Sequence, residues 1–355
     1  MLERRLAAQR LSGPGERTAA EVVRRLACVQ SQEHAHAFWS LGMRTTGLDV
    51  DAVRAEFDAG AYLRTHVLRP TWHFVAAEDL RWILAATSGR VHQLNGTMLR
   101  REGLTEGVLE RGVEVIRRAL AGQTYLTRPE LAAVLDRAGL PARGFGLAHV
   151  VMHAELEAVI CSGPMRGAAH TYALLEERVP QGSERDGDLD ELAYRFFVGH
   201  GPASVADLCR WASLTRGQGT AALAGVETRL DSVEVEGIPL WFEPAAPDPE
   251  DAAADVLLLP LYDEVTLSYP QLGFPVAPDH PHVPGTDLFV GTVIVDGVDV
   301  GNWRREVKGR TVEVALMLAP GVNDQQRRLA QDAAARLADF LGRQLVLLGH
   351  DFSSP

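Results

Sequence analysis

The chain has 355 residues, 46% apolar and 23% charged, which at about 150 residues per domain gives two or three packed cores and excludes disorder as the main state. No apolar run reaches the roughly 18 residues needed to span a bilayer and the N-terminus lacks a hydrophobic signal core, so a cytoplasmic protein with no membrane partner is expected. The net charge of −12 is uneven: ten acids from Asp231 to Glu264 stand without a Lys or Arg while residues 1–230 sum to zero, so an acidic band and a locally basic, DNA-facing surface are both expected.

Residues 1–25 carry six Arg against three Glu, and Arg supplies 34 of the 35 cations of the chain, a usage that suits bidentate phosphate contact and that a GC-rich genome also produces. Thr18-Ala19-Ala20-Glu21 opens the first expected helix. Its hydroxyl and its carboxylate three residues on form a capping box, and Val22, Val23 and Leu26 continue it as an apolar stripe. A second helix follows over about 34–44, then two strands within Ala61–Val75 around Arg69-Pro70. The pattern returns at Thr127-Arg128-Pro129-Glu130, with a helix over 145–159 and strands within Ile160–Leu174 around Gly163-Pro164. It returns again at Ser204-Val205-Ala206-Asp207, with a helix over 217–227 and strands within Thr228–Phe242 around Glu236-Gly237.

Helix, turn, helix and hairpin is the winged-helix arrangement. The expected fold is therefore α+β: tandem winged-helix (helix-turn-helix) domains over 1–100, 101–182 and 183–245, followed by a small, mostly β domain over 246–355. The three capping boxes should begin helices in equivalent positions. Pro244 to Pro249 reads as a linker. Beyond it, strands are expected at Val256–Leu259, Leu288–Asp296, Val298–Arg304, Thr311–Leu318 and Gln344–Leu348, with a tight turn at Asp296-Gly297 and a closing helix over Asn323–Leu341.

Few residues carry obvious chemistry. Cys28, Cys161 and Cys209 form no CxxC motif and read as small buried side chains. There is no phosphate-binding glycine loop and no nucleophile elbow. His34-x-His36 and His280-x-His282 lack a companion ligand at metal spacing, so no metal is expected. Asp263-Glu264 reads as neighbours on a strand, pointing to opposite faces. Gln30-Ser31-Gln32 closes the first capped helix. On a helix the two amides diverge by 200°, whereas in extended chain they share a face, so they converge only if the helix ends near Gln30. Such a pair offers donors and acceptors but no titratable proton: it can hold a water or read a base edge, or simply be two solvated side chains.

Cys28-Val29-Gln30-Ser31-Gln32, Leu68-Arg69-Pro70-Thr71-Trp72-His73-Phe74, Leu258-Leu259-Pro260-Leu261-Tyr262-Asp263-Glu264 and Val295-Asp296-Gly297 with Gly301-Asn302-Trp303-Arg304-Arg305 follow one another along the chain. Together with Gly201-Pro202-Ala203, Asp207 and Trp211 they resemble the winged-helix DNA glycosylase family of the AlkZ type, over nearly the whole chain. That resemblance implies tandem winged helices with a β domain, and removal of bulky or crosslinked alkylated purines in DNA repair or in self-resistance to a DNA-alkylating natural product. The family's catalytic motif is Gln, an aliphatic residue, then Gln or Asp, so the resemblance assigns catalysis to Gln30 and Gln32; Ser31 departs from the aliphatic middle residue. No cofactor is implied. The partner is double-stranded DNA carrying an alkylated purine, met by a monomer. Arg69, Thr71 and His73 of the first wing, and Arg304 and Arg305 after Trp303, are the supporting or DNA-contacting candidates, set against half-buried packing for His73 and solvated surface for Arg304 and Arg305. Tyr262 and Asp263 read as turn and packing residues. The alternative function is a non-catalytic winged-helix DNA-binding protein or regulator, and a third is a protein-interaction scaffold.

Overall fold

The computed structural model describes residues 1–179, 187–244, 256–269, 273–281 and 290–348. Most of the expected linker, the start of the strand expected from Leu288, and His282 lie outside the described residues. Helix α1 (Leu2–Ala8) precedes α2 (Ala19–Leu26), and the capping box that starts α2 is present. Thr18 Oγ1 accepts from Glu21 N at 3.1 Å, and the Glu21 carboxylate accepts in return from Thr18 N. Glu56, from a neighbouring helix, accepts from the N–H groups of Ala19 and Ala20, so the exposed donors of this helix end are satisfied.

After α2 come β1 (Cys28–Gln30), α3 (His34–Gly42), α4 (Val50–Ala59) and the hairpin β2 (Tyr62–Val67) and β3 (Thr71–Ala76). Their sheet has the order β1-β3-β2, antiparallel throughout. Helix α5 (Leu80–Arg101) leads to α6 (Glu106–Leu120), β4 (Leu126–Thr127), α7 (Arg128–Arg137), α8 (Gly144–Leu156), β5 (Ile160–Ser162), β6 (Thr171–Leu174) and α9 (Leu175–Arg178). The sheet order is β4-β6-β5, again with the hairpin's second strand in the middle. Next are α10 (Leu189–His200), α11 (Val205–Trp211), α12 (Arg216–Val226) and the hairpin β7 (Asp231–Val235) and β8 (Ile238–Phe242). Here Ala203, just before α11, bridges to Trp241 of β8.

The capping boxes do not begin equivalent helices. Those at Thr127 and Ser204 start α7 and α11, which follow the first strand or bridge of their group, whereas Thr18 starts α2, which precedes β1. By position the counterpart of α7 and α11 is α3, whose N-cap Glu33 makes no side-chain capping bond. Helix α4, capped by Asp49 and closed by Gly60 at φ 84°, was not expected from the sequence.

The C-terminal part holds β9 (Val256–Leu259), α13 (Glu264–Leu267), β10 (Gly291–Val295), β11 (Val298–Lys308), β12 (Thr311–Leu318), α14 (Asp324–Phe340) and β13 (Gln344–Leu348). The sheet order is β13-β12-β11-β10-β9, with only the β12–β13 pair parallel. Strand β11 runs past the expected Arg304 because its pairing with β12 continues to Lys308 opposite Thr311. No helix among the described residues is long and apolar enough to cross a membrane.

The sheet β1-β3-β2 is covered on both faces. Alternation sends Val29 and Phe74 into a core with Phe38, Phe57, Trp303 and Phe340, and sends Cys28 and Val75 into a second core with Phe196, Phe197 and Trp211. The β-rich part therefore packs against the first helices, and α10 closes on the end of α2. At that contact a Cβ on Gly199 would lie 2.5 Å from the Arg25 carbonyl oxygen, a backbone atom that cannot rotate away. Gly199→Ala is expected to cost about 2 kcal/mol, as overpacking does, read as a lower urea midpoint at unchanged slope. An unchanged midpoint would show that α2 and α10 separate freely.

Candidate functional site

Helix α2 ends at Leu26, and Ala27, at φ 60°, turns the chain into β1. Gln30 is thus the last residue of a strand and does not close the helix. Across the sheet Gln30 pairs with His73, and His73 with Thr65. Beyond the last pair, Ser31 N–H donates to the Trp72 carbonyl at 2.8 Å, and Gln32 Oε1 lies 3.4 Å from Trp72 N. Both glutamines therefore run along β3. Gln30 is buried, while Gln32 is half-buried and only loosely held.

Two charged groups fix Gln30. Its backbone N–H donates to Glu264 Oε1 at 2.6 Å, and its side-chain Oε1 accepts from Arg69 Nη2 at 2.6 Å. Arg69 sits in the β2–β3 turn, where Leu68 has φ 61°. Its guanidinium folds inward: Nη1 donates to the Trp211 carbonyl at 2.8 Å, and Nη2 also reaches His73 Nε2 at 3.2 Å. A guanidinium can only donate, so it selects the oxygen of the Gln30 amide and leaves the NH2 group to face other partners.

His73 is fully buried, not half-buried, and burial together with the Arg69 charge lowers its pKa to about 3. Its Nδ1 lies 3.1 Å from the Thr71 carbonyl, which can only accept. The neutral ring therefore carries its proton on Nδ1 and offers the Nε2 lone pair to Arg69. It has no acidic proton to give at neutral pH. The Thr71 hydroxyl and the Ser31 hydroxyl are both buried without a hydrogen-bond partner among the described residues.

Asp263 and Glu264 do not lie on a strand: Asp263 N-caps α13 and Glu264 is its first residue. Glu264 Oε2 accepts from Trp211 Nε1 at 3.0 Å and lies 3.6 Å from His200 Nε2. Burial pushes its carboxyl pKa up, but His200, Arg69 and His73 outweigh that and hold it at about 2. Asp263 holds Arg44 through both carboxylate oxygens, at 2.7 and 2.9 Å, and accepts from Ser40 Oγ. Two of the ten acids expected in an outward band are thus interior groups beneath the glutamines. Arg5, one of the six early arginines, is likewise buried, with Nε on the Pro202 carbonyl and its guanidinium 3.9 Å over the Tyr269 ring.

On the other side of the segment, Arg64 donates to the carbonyls of Ser31 and Gln32, at 2.9 and 3.2 Å, and lies 4.2 Å over the Trp72 ring. Arg64 and His200 are part of the site, yet nothing local in the sequence marks them; Trp211 and Glu264 stand in the motifs that carry the resemblance, which assigns them no role in the site. Arg305 donates to the Ala35 carbonyl at the start of α3, and Arg304 is half-buried on the same strand, opposite Ala315. His34 and His36 diverge: His34 packs among Phe38, Phe57, Phe74 and His170, and His36 against Trp303. A cavity of about 480 Å³ between α3, β9 and α14, lined by Trp39, Met43, Leu48, Val256 and Phe340, includes none of the glutamine-site residues.

The result is one amide pinned by two charged groups and a second, more open amide two residues on, with a neutral imidazole and an ionised, inaccessible carboxylate behind them. It can orient a water and stabilise positive charge; it has no proton to donate.

A family model described as DNA glycosylase AlkZ-like matches residues 23–340 of the chain. The chain is 26% identical over 206 residues to an interstrand DNA cross-link repair glycosylase of Streptomyces sahachiroi, a match that covers 56% of the chain and 55% of that relative's length. Its fold is similar to the solved structure of Streptomyces sahachiroi DNA glycosylase AlkZ, with a TM-score of 0.74, 98% of each chain covered and 21% identity.

Proposed function

Because the chain belongs to the AlkZ-like DNA glycosylase family, we propose that it hydrolyses the N-glycosidic bond of alkylated purines in double-stranded DNA, bulky or crosslinked lesions included, as a monomer in DNA repair or in self-resistance to a DNA-alkylating natural product. The observation that carries this reading is the seat of Gln30, pinned at its backbone by Glu264 and at its amide oxygen by Arg69, with the more open Gln32 two residues on. The shared hairpin-centred sheets support reading 1–100, 101–182 and 183–245 as winged-helix units that present this seat to DNA, with 246–355 as a β-rich domain behind it.

The chemistry needs no acid. A purine alkylated at nitrogen 7 is already cationic, so it leaves without protonation and the difficulty passes to the sugar, which develops positive charge. Gln32 holds the attacking water through its amide. Gln30, fixed by Arg69, offers its NH2 group to the water or to the lesion, and Glu264 supplies a fixed negative charge close by. The reading invokes no metal or organic cofactor.

Gln32→Ala is expected to slow excision from an alkylated duplex by ~10²-fold, the scale for losing one preorganised hydrogen-bonding partner. Affinity for undamaged duplex should stay almost unchanged and fall steeply with salt, since phosphate contacts carry it. Gln32→Asp should retain activity, because a carboxylate can still hold water. An excision rate unchanged in the Gln30→Ala, Gln32→Ala double variant would sink the catalytic assignment and leave a non-catalytic DNA-binding protein.

A further inference from the structure

We propose that His92, His153 and Glu157 form a site for one divalent transition-metal ion of the zinc class, which clamps α5 to α8. His92 projects from α5, while His153 and Glu157, four residues apart, share a face at the C-terminal end of α8. One ligand atom from each lies within 4.8 Å of the others, with His92 Nε2 2.9 Å from Glu157 Oε1. Bonds of about 2.0–2.2 Å need these atoms only to draw in toward a common centre. Two imidazole nitrogens and one carboxylate oxygen, with a fourth position for water, are a donor set that zinc takes and that calcium and magnesium, which want oxygen, do not.

An ordinary ion pair accounts for His92 and Glu157 but not for His153. Its ring meets that of His92 edge-on, the centroids 5.1 Å apart at 67°, and it makes no ring hydrogen bond among the described residues. Ligand nitrogens this close on two imidazoles beside a carboxylate gain from a shared cation. The side chains of His92 and Glu157 are 30% and 48% exposed, so an ion has a path in.

The clamp has something to hold. Beside the site the buried apolar contact between the two helices is a small cluster of Val91, Met152 and Leu156. Two residues from His153, Glu155 pairs with His66 and accepts from Trp72 Nε1 at 3.3 Å. Helix α8 is thus the support of the hairpin along which Gln30 and Gln32 lie, and the ion would stiffen that support without touching either glutamine.

The test uses the full chain after chelation, titrated with Zn²⁺ by calorimetry and melted with and without the ion. One saturable ion per chain is expected, with a melting temperature raised by about 4 °C at a hundredfold excess over Kd. His153→Gln and His92→Gln should each weaken binding at least tenfold, and their metal-free melting temperatures should match the wild type, which shows that they fold. Absence of saturable binding would overturn the proposal. So would equal affinity in the His92→Gln, His153→Gln double variant, which would place the ion on other histidines.

Discussion

Replacing Asp263 by Ala is expected to cost about 3–5 kcal/mol and to lower the melting temperature by roughly 4–7 °C. Asp263 and Arg44 are both fully excluded from solvent. The carboxylate accepts two bonds from Arg44, one from Ser40 Oγ and one from Val265 N. Without it the guanidinium keeps only Gln9 and Ser40 as partners, so a buried charge is left uncompensated. Truncating one partner is the costly change; Arg44→Met with Asp263→Leu should recover most of the loss, since an apolar pair leaves no stranded charge. The network runs on from Gln9 to the Tyr269 hydroxyl and the His200 carbonyl, so the damage should reach the Glu264 seat and slow base release as well. Urea unfolding of the two variants decides this, and a loss below about 1 kcal/mol for Asp263→Ala would show that the pair is energetically idle.

Mild acid is the second large lever. Burial, aided by neighbouring arginines, lowers His73 and His34 to about 3 and His36 to about 4, and pushes His170 well below its ordinary value. These rings stay neutral in the folded chain while the unfolded chain takes up protons near pH 6.5. Their contribution is therefore complete above about pH 6.5 and is lost as pH falls below it, because protons bind the unfolded state preferentially. After allowance for partial exposure, each costs about 1 kcal/mol near pH 5.5, on the order of 4 kcal/mol together. Glu264 adds a separate loss at lower pH, as the medium falls from its usual carboxylate range toward about 2. Urea midpoints measured near pH 7.5 and pH 5.5 test this directly. A flat profile would mean that these rings gain protons in place, and the tautomer assigned to His73 would fall with it.

The parts of this fold that are legible in the sequence are those with local causes. Capping boxes at Thr18, Thr127 and Ser204, turns at Glu236-Gly237 and Asp296-Gly297, and the closing helix depend on residues a few positions apart. Helix α4 has local signals too, in Asp49 and Gly60, and with it the first group has one helix more than the capping-box pattern implies, so α3 and α4, not α2 and α3, match the helix pairs of the other groups. The glutamines come from the resemblance of motifs, not from spacing. Their surroundings were hidden for a different reason: Arg69 reaches Trp211 across 142 positions, and Glu264 reaches Gln30 across 234. Asp263-Glu264 looked inert because adjacency on a strand is a poor guide when the first residue caps a helix and the second begins it.

That last separation has a bearing on how the protein is made. Gln30 emerges from the ribosome early, and its anchor is synthesised only after about three-quarters of the chain exists. Closing so long a loop waits on the domains between. A nascent chain that stops short of Glu264 already owns both glutamines, Arg69 and β3. It lacks the carboxylate that takes the Gln30 backbone N–H, so the seat proposed for catalysis stays incomplete until that residue is made.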